Sequence, residues 1–238
     1  PTDIASKTTL PKEKTLILPK PNPTSANAIN YLCQRGIDTE LIDFCIQTGQ
    51  LYEADVHIDR LGKIYTNVVF VGFDKSGAAR YGNLRGIGTD FRGDATGSDK
   101  HYLFGIPTNT PSDTLNLFES AVDLLSYATL QKLEGNDWNK ENLLSLAGIY
   151  KPKRRVDDSA LPAALQQYLS DYPHIQKIAL RLDNDCAGRI AAKTIQTILP
   201  DEYEVSVRLS PQGKDYNDCL CMRLGLPITT KSERSYTR

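Results

Sequence analysis

A chain of 238 residues with 40% hydrophobic and 24% charged side chains can bury a substantial core, which excludes a disordered or fibrous protein. Its formal net charge of -1 excludes coating of a polyanion by bulk charge, so a nucleic-acid partner would have to meet a local basic surface. The five cysteines (Cys33, Cys45, Cys186, Cys219, Cys221) have no disulfide-like spacing, and there is neither a signal peptide nor an apolar run of about 18 residues, so a reduced, cytoplasmic protein without a membrane span is expected. Cys219 and Cys221 form a C-x-C with no second Cys/His cluster, so no zinc is expected, and both read as half-buried thiols near a helix. The start at Pro1 without a methionine points to an excised fragment or a processed product.

Residues 1–24, with Pro11, Pro19, Pro21 and Pro23 among lysines, lack an amphipathic period and read as an extended lead-in or linker. From Ser25, two apolar runs (Ile29, Leu32, Cys33, then Leu41, Ile42, Cys45, Ile46) split by Gly36 and ended by Gly49 predict two short helices. Between Lys63 and Phe104 the runs YTNVVFVGFD and ARYGNLRG, divided by a turn at 74–77, predict a hairpin-rich β region. After Thr114, apolar runs of strand length (LNLF, NLLSLAG, KIALRL, YEVSVRLS) alternate with helical stretches, the pattern of βαβ units around a parallel sheet of about four strands. The basic stretch KPKRRVDD at 151–158 interrupts them as a solvated surface loop. The expected organisation is therefore an α/β chain: a small helical and β-hairpin subdomain at 25–110, a parallel-sheet domain at 111–225, and a tail at 226–238.

In such sheets, ligand groups collect beyond the carboxyl ends of the strands. Glu119 follows LNLF with Asp123 four residues on, Asp183 and Asp185 close KIALRL, and Asp215 and Asp218 follow the last strand through PQGKDYND. Alternate residues of an extended segment face one way, so Asp183 and Asp185 can present two carboxylates together. Carboxylates so close would raise one another's pKa unless a cation stood among them, and Mg²⁺ favours a few carboxylates plus waters and phosphates. A single Asp at a strand end is commonly a helix N-cap or a solvated loop residue, and for Asp123 and Asp218 that reading weighs as much as function, whereas for Glu119, Asp183 and Asp185 together function is favoured. Gly188 would permit a tight turn into a helix near Arg189 whose N-terminus faces the same edge, and Lys214 stands beside the acids where it could neutralise substrate charge.

FESAVDLL, LRLDNDCAGR and GKDYND resemble the three motifs of the Toprim domain, in the family's order, over residues 113–222. That resemblance implies Mg²⁺ or Mn²⁺ chemistry with Glu119, Asp183 and Asp185 as catalytic and metal residues and Asp215 or Asp218 as the third acidic position; Ser120 stands where many members have glycine. Upstream, NAINYLCQRGIDTELIDFCIQTG, VVFVGFDKSGAARYGNLRG and GSDKHYLFG are similar to the amino-terminal part of the bacterial replicative primase core, and the layout resembles a group of uncharacterised primase-like proteins of plasmids and integrative elements. Members of that group often carry a Cys/His zinc module ahead of this region. The likeness implies that Arg80, Arg85 and Lys100 line a groove for template or nucleotide phosphates, while Tyr81 and Tyr102 either stack on bases or, as preferred here, pack the β layer.

The leading expectation is a primase-like nucleotidyltransferase acting on single-stranded DNA and nucleotides, with a helicase or relaxase as partner and no membrane. Strand nicking or cleavage at the same site is the second, for which no tyrosine is marked out as a nucleophile. A non-catalytic DNA-binding module is the third. A small-molecule phosphotransferase is disfavoured because it leaves Glu119 and the third acidic cluster unexplained.

Overall fold

The computed structural model describes residues 15–58, 62–148 and 150–228; residues 1–14 of the lead-in and 229–238 of the tail lie outside the described residues. Two helices, α1 (Ala26–Cys33) and α2 (Thr39–Gln47), precede strands β1 (Leu51–Ile58), β2 (Lys63–Phe73), β3 (Ala79–Gly86) and β4 (Arg92–Asp94). The four strands form one antiparallel sheet in the order β1-β2-β3-β4. Then come β5 (Gly105–Ile106), β6 (Thr114–Phe118), α3 (Ala121–Leu133), β7 (Asn142–Ser145), a single 3-10 turn, α4 (Ala163–Asp171), β8 (Lys177–Arg181), α5 (Cys186–Ile198), β9 (Glu204–Val207) and α6 (Tyr216–Leu224). The second sheet has the order β5-β7-β6-β8-β9, with the expected four strands parallel and β5 added antiparallel at one edge.

The helix pair, the 74–77 turn, the βαβ alternation and the exposed 151–155 segment all follow the sequence pattern. Gly36, with φ +79, makes the turn between α1 and α2, a conformation that L side chains rarely adopt. Strands β6, β7 and β8 are buried on both faces, which is why they read as near-continuous apolar runs. Helix α3 is buried around most of its circumference, because α2, α6 and the parallel sheet all pack against it. Its core includes Leu32, Leu41 and Phe70 from the amino-terminal part together with Phe118, Leu124 and Leu220, so one apolar interior spans both sheets. Cys219 and Cys221 are buried in α6, more deeply than expected.

Strand β1 is the element hidden from sequence, because Glu53 and Asp55 interrupt its apolar residues. Glu53 is buried: its carboxylate accepts hydrogen bonds from Asn22 Nδ2 (3.0 Å), Asn27 Nδ2 (3.0 Å) and the amide of Ala28 (2.9 Å). It thereby ties the lead-in and α1 to the sheet. The lead-in is extended over residues 15–24, and it is pinned: Ile17 pairs with Thr96, the Asn22 amide donates to the Glu53 carbonyl, and Tyr52 donates to the Pro19 carbonyl at 2.9 Å.

Burial works against the Glu53 charge, but the bonds from Asn27, Ala28 and Asn22 prevail and hold its pKa below the usual carboxylate value. A lowered folded-state pKa means a contribution that is complete above the unfolded value and lost as pH falls through the folded one. Glu53→Ala should cost about 2 kcal/mol in urea denaturation at neutral pH, by stranding three donors. The difference from wild type should shrink in acid.

Candidate metal and phosphate site

Three strand-to-helix turns build the site in the same way. Glu119 follows β6, and Ser120 caps α3 by accepting from the Asp123 amide at 3.3 Å. Asp183 follows β8, and Asp185 caps α5 by accepting from the Gly188 amide at 2.9 Å. Asp215 caps α6 by accepting from the Asp218 amide at 2.8 Å. Capping and proximity to the acidic centre are thus combined in the same residues. Strands β6 and β8 are neighbours in register Phe118↔Arg181, while β7 lies on the other side of β6. The cleft therefore opens where the strand order reverses, the usual ligand crevice of an open α/β sheet.

The cleft holds about 390 Å³ and is lined by Glu119, Ser120, Asp123, Asp183, Lys214, Asp215 and Asp218 on its acidic side. Burial, then the charge of Asp183, pushes the Glu119 carboxyl up to about 7. Asp183, 5% exposed, is also raised by burial, although Lys214 Nζ stands 2.6 Å from its Oδ2. Lys214 Nζ also lies 3.3 Å from Asp185 Oδ2 and so bridges the two aspartates. Asp185 is lowered, first by the Gly188 amide and then by Lys214. The Asn184 amide donates to the Lys214 carbonyl at 2.6 Å, which fastens the two loops together.

Among the described residues no three carboxylates already enclose a metal position. The residues nonetheless fit a hard divalent cation: the donors are carboxylate oxygens, burial and repulsion raise the pKa of Glu119 and Asp183, and an ammonium stands between Asp183 and Asp185 as a cation would.

The other predicted residues divide sharply. Asp218 braces its own loop, accepting from the Lys214 amide at 3.0 Å. Asp123 is buried and its pKa raised, first by burial and then by Asp215 and Asp183; it bonds Ser120 Oγ at 2.5 Å and accepts from the Asn217 amide at 3.3 Å, as a strut between α3 and α6. Gly188 lies within α5 and does not make the turn expected of it: a Cβ there would come within 2.1 Å of the Asp183 carbonyl oxygen, so glycine is needed for the close approach of helix to strand end. Arg85 lines the cleft. Arg80 and Lys100 do not: Arg80 pairs with Asp74 at 2.6 Å and Lys100 with Asp94 at 3.0 Å. Arg80 is the unpaired residue at the irregularity between Tyr81 and Ala79 in the β2–β3 ladder, whereas Arg85 is regularly paired opposite Val68. Tyr81 is fully buried and bonds Asp94, and Tyr102 lines a separate cavity, so neither reaches this cleft.

Arg35, Arg92, Asn83 and Asn217 also line the cleft and were not marked out by sequence. Asn217 is the hub: its Oδ1 accepts from Arg35 Nη1 at 2.9 Å, and its Nδ2 donates to the Arg35 carbonyl at 2.9 Å and to Ser126 Oγ at 3.0 Å. Arg35 lies 4.8 Å from the centroid of the Tyr31 ring, and Arg85 Nε donates to the Tyr31 hydroxyl at 2.7 Å. Their partners lie far off in sequence, so only the spacing of Arg35 behind α1 could have hinted at a role. Acids thus form one wall of the cleft and arginines the other.

Because Glu119 is raised on folding, the folded state holds its proton longer than the unfolded state, and stability falls as pH rises from about 4.5 to about 7. Metal-free thermal denaturation should show this decline, Glu119→Gln should flatten it, and added Mg²⁺ or Mn²⁺ should offset it in wild type alone. Gly188→Ala should lower the midpoint and weaken Mn²⁺ binding at least tenfold by titration calorimetry, since α5 must move off Asp183.

Residues 116–220 match the family described as Toprim-like, and residues 30–109 match a family described as protein of unknown function (DUF3991). A 65 kDa protein of Zymomonas mobilis subsp. mobilis is 24% identical over 180 residues, covering 72% of this chain; the chain spans only 29% of that relative. The primase fragment of the bacteriophage T7 primase-helicase protein superposes with a TM-score of 0.57 at 19% identity, covering 91% of this chain and 77% of that one. A chain from a bacteriophage T7 assembly, in which lagging-strand DNA polymerase interacts with primase domains bound to an RNA/DNA hybrid and dTTP, gives 0.51 at 22% identity, covering 81% and 84%. This chain therefore carries a Toprim-like domain behind a DUF3991 domain, in a fold shared with the primase fragment of phage T7.

Proposed function

We propose that the protein is a Mg²⁺- or Mn²⁺-dependent, primase-like nucleotidyltransferase that joins nucleotides on a single-stranded DNA template. One observation carries this reading: a single cleft sets Glu119, Asp183 and Asp215 against Arg35, Arg85 and Arg92, with Asp185 linked to Asp183 through Lys214. A polyphosphate with its cation needs such a two-signed site, because the cation bridges carboxylate and phosphate while guanidinium groups hold the remaining phosphate oxygens. Glu119, Asp183 and Asp185 would hold the metal, with Asp215 beside them, and the ion would supply Lewis-acid stabilisation of charge on the phosphates. Glu119, with its raised pKa, is suited to take a proton from an attacking hydroxyl near neutral pH. Lys214, now paired with Asp183 and Asp185, would turn to the phosphates once a cation replaced it.

The fold likeness supports a nucleic-acid substrate, and the sequence resemblance extends the proposal to the replication apparatus of a mobile element with a helicase or relaxase as partner. A second reading, strand nicking, draws on Tyr31. Burial opposes ionisation of its phenol, yet Arg85 and Arg35 outweigh burial and lower its pKa, as a tyrosine nucleophile would need.

Incubation with Mn²⁺ or Mg²⁺, labelled nucleotides and single-stranded DNA should give template-dependent products, reduced at least a hundredfold in Asp183→Asn/Asp185→Asn. Cleavage of DNA without nucleotides, with a denaturation-resistant protein–DNA adduct absent in Tyr31→Phe, would replace synthesis by nicking. Binding without either product would leave only a DNA-binding module.

A further inference from the structure

A second cleft, of about 370 Å³, opens between the carboxyl-terminal half of α3, α6 and the segment 208–212, and shares no lining residue with the acidic cleft. Three arginines line it, Arg181, Arg208 and Arg223, against the single carboxylate of Glu134. None of the three arginines is in a salt bridge among the described residues. Arg208 and Arg223 are exposed, whereas Arg181 is half-buried and fixed. Its Nε donates to Asn116 Oδ1 at 2.6 Å, its Nη1 donates to the Tyr216 hydroxyl at 2.8 Å, and its guanidinium carbon stands 4.1 Å from the centroid of the Tyr127 ring.

These contacts use Nε and Nη1, and Nη2 makes no hydrogen bond to protein among the described residues. Tyr216 in turn donates to the Arg208 carbonyl at 2.7 Å, so the same phenol that holds Arg181 also holds the loop bearing Arg208. Three guanidinium groups converging on one cleft repel one another, and an oxyanion with several acceptor atoms relieves that repulsion through charge-assisted hydrogen bonds. Arg181 stands two residues before Asp183, and Tyr216 directly follows Asp215, so the cleft flanks the acidic site along the carboxyl edge of the same sheet.

We infer that this cleft is a separate anion site that takes a phosphate group through Arg181, Arg208 and Arg223. The group can arrive on a nucleic-acid strand or as free pyrophosphate, and the site stands whether or not the acidic cleft performs the chemistry proposed above.

The test is made in EDTA, so that the acidic cleft contributes no metal-bridged binding. A short fluorescein-labelled oligothymidylate is titrated by anisotropy across a salt series, and inorganic pyrophosphate is followed by the shift it produces in the thermal midpoint. The variant Arg208→Glu/Arg223→Glu alters two exposed side chains; Lys153→Glu/Arg154→Glu, in the exposed loop before α4, makes the same charge change elsewhere. The first pair should weaken oligonucleotide binding at least tenfold and flatten the plot of log affinity against log salt by about 1.4, two contacts at about 0.7 each. It should also abolish the pyrophosphate shift, and the loop pair should do neither. Loss of the oligonucleotide response alone identifies a strand phosphate as the ligand, and loss of the pyrophosphate response alone identifies the free anion. Equal losses in both variants, or no change in either response, overturn the site. Should the double reversal lower the metal-free midpoint, Arg223→Gln on the last turn of α6 gives the same reading with half the change in slope.

Discussion

Carboxyl groups gathered in a half-buried crevice cannot all remain charged without a cation or a proton, and the architecture of this protein is arranged around that constraint. Asp183 is buried and ion-paired with Lys214, Glu119 moves toward neutrality, and Asp123 is pushed the same way beneath them. The protein keeps these repelling groups together by giving each turn a second duty. Ser120, Asp185 and Asp215 are helix caps, so the backbone of α3, α5 and α6 stabilises the conformation that crowds the acids. Helix capping and the crowding of the carboxyl groups are therefore coupled at the same three turns.

The amino-terminal part contributes a wall of the same cleft. Arg35 reaches it from the end of α1, and Arg85 and Arg92 reach it from β3 and β4. Asn217 fixes the first of these by a two-way bond to the side chain and carbonyl of Arg35. A residue beside the acidic motif thus sets the position of a guanidinium supplied 182 residues away. The shared apolar interior under α3 makes that alignment stiff, since Phe70, Leu41 and Leu124 belong to one packed cluster.

Much of the parallel sheet was legible because central strands buried on both faces must be apolar throughout, and the intervening helices carry their own caps. Glu119, Asp183 and Asp185 were legible for the same reason, since they sit where those runs end. Strand β1 was not, because its buried Glu53 reads as a surface residue until Asn22, Asn27 and the Ala28 amide are seen around it. Gly188 was noticed but misread as a turn, because only the packed helix reveals how near it lies to the Asp183 carbonyl.

Sequence by itself determined the βαβ order, the three acidic turns and the chemistry of their side chains, because these depend on local periodicity and on residues a few positions apart. Tertiary structure alone decided which cations face them. Arg85 enters the cleft while Arg80 is taken by Asp74 and Lys100 by Asp94; Arg35 is held there by Asn217. Those outcomes depend on sheet register and on contacts between distant segments, which no spacing along the chain encodes. Lys214, beside the acids in sequence, proved also to lie between Asp183 and Asp185 in space, where a cation has to be.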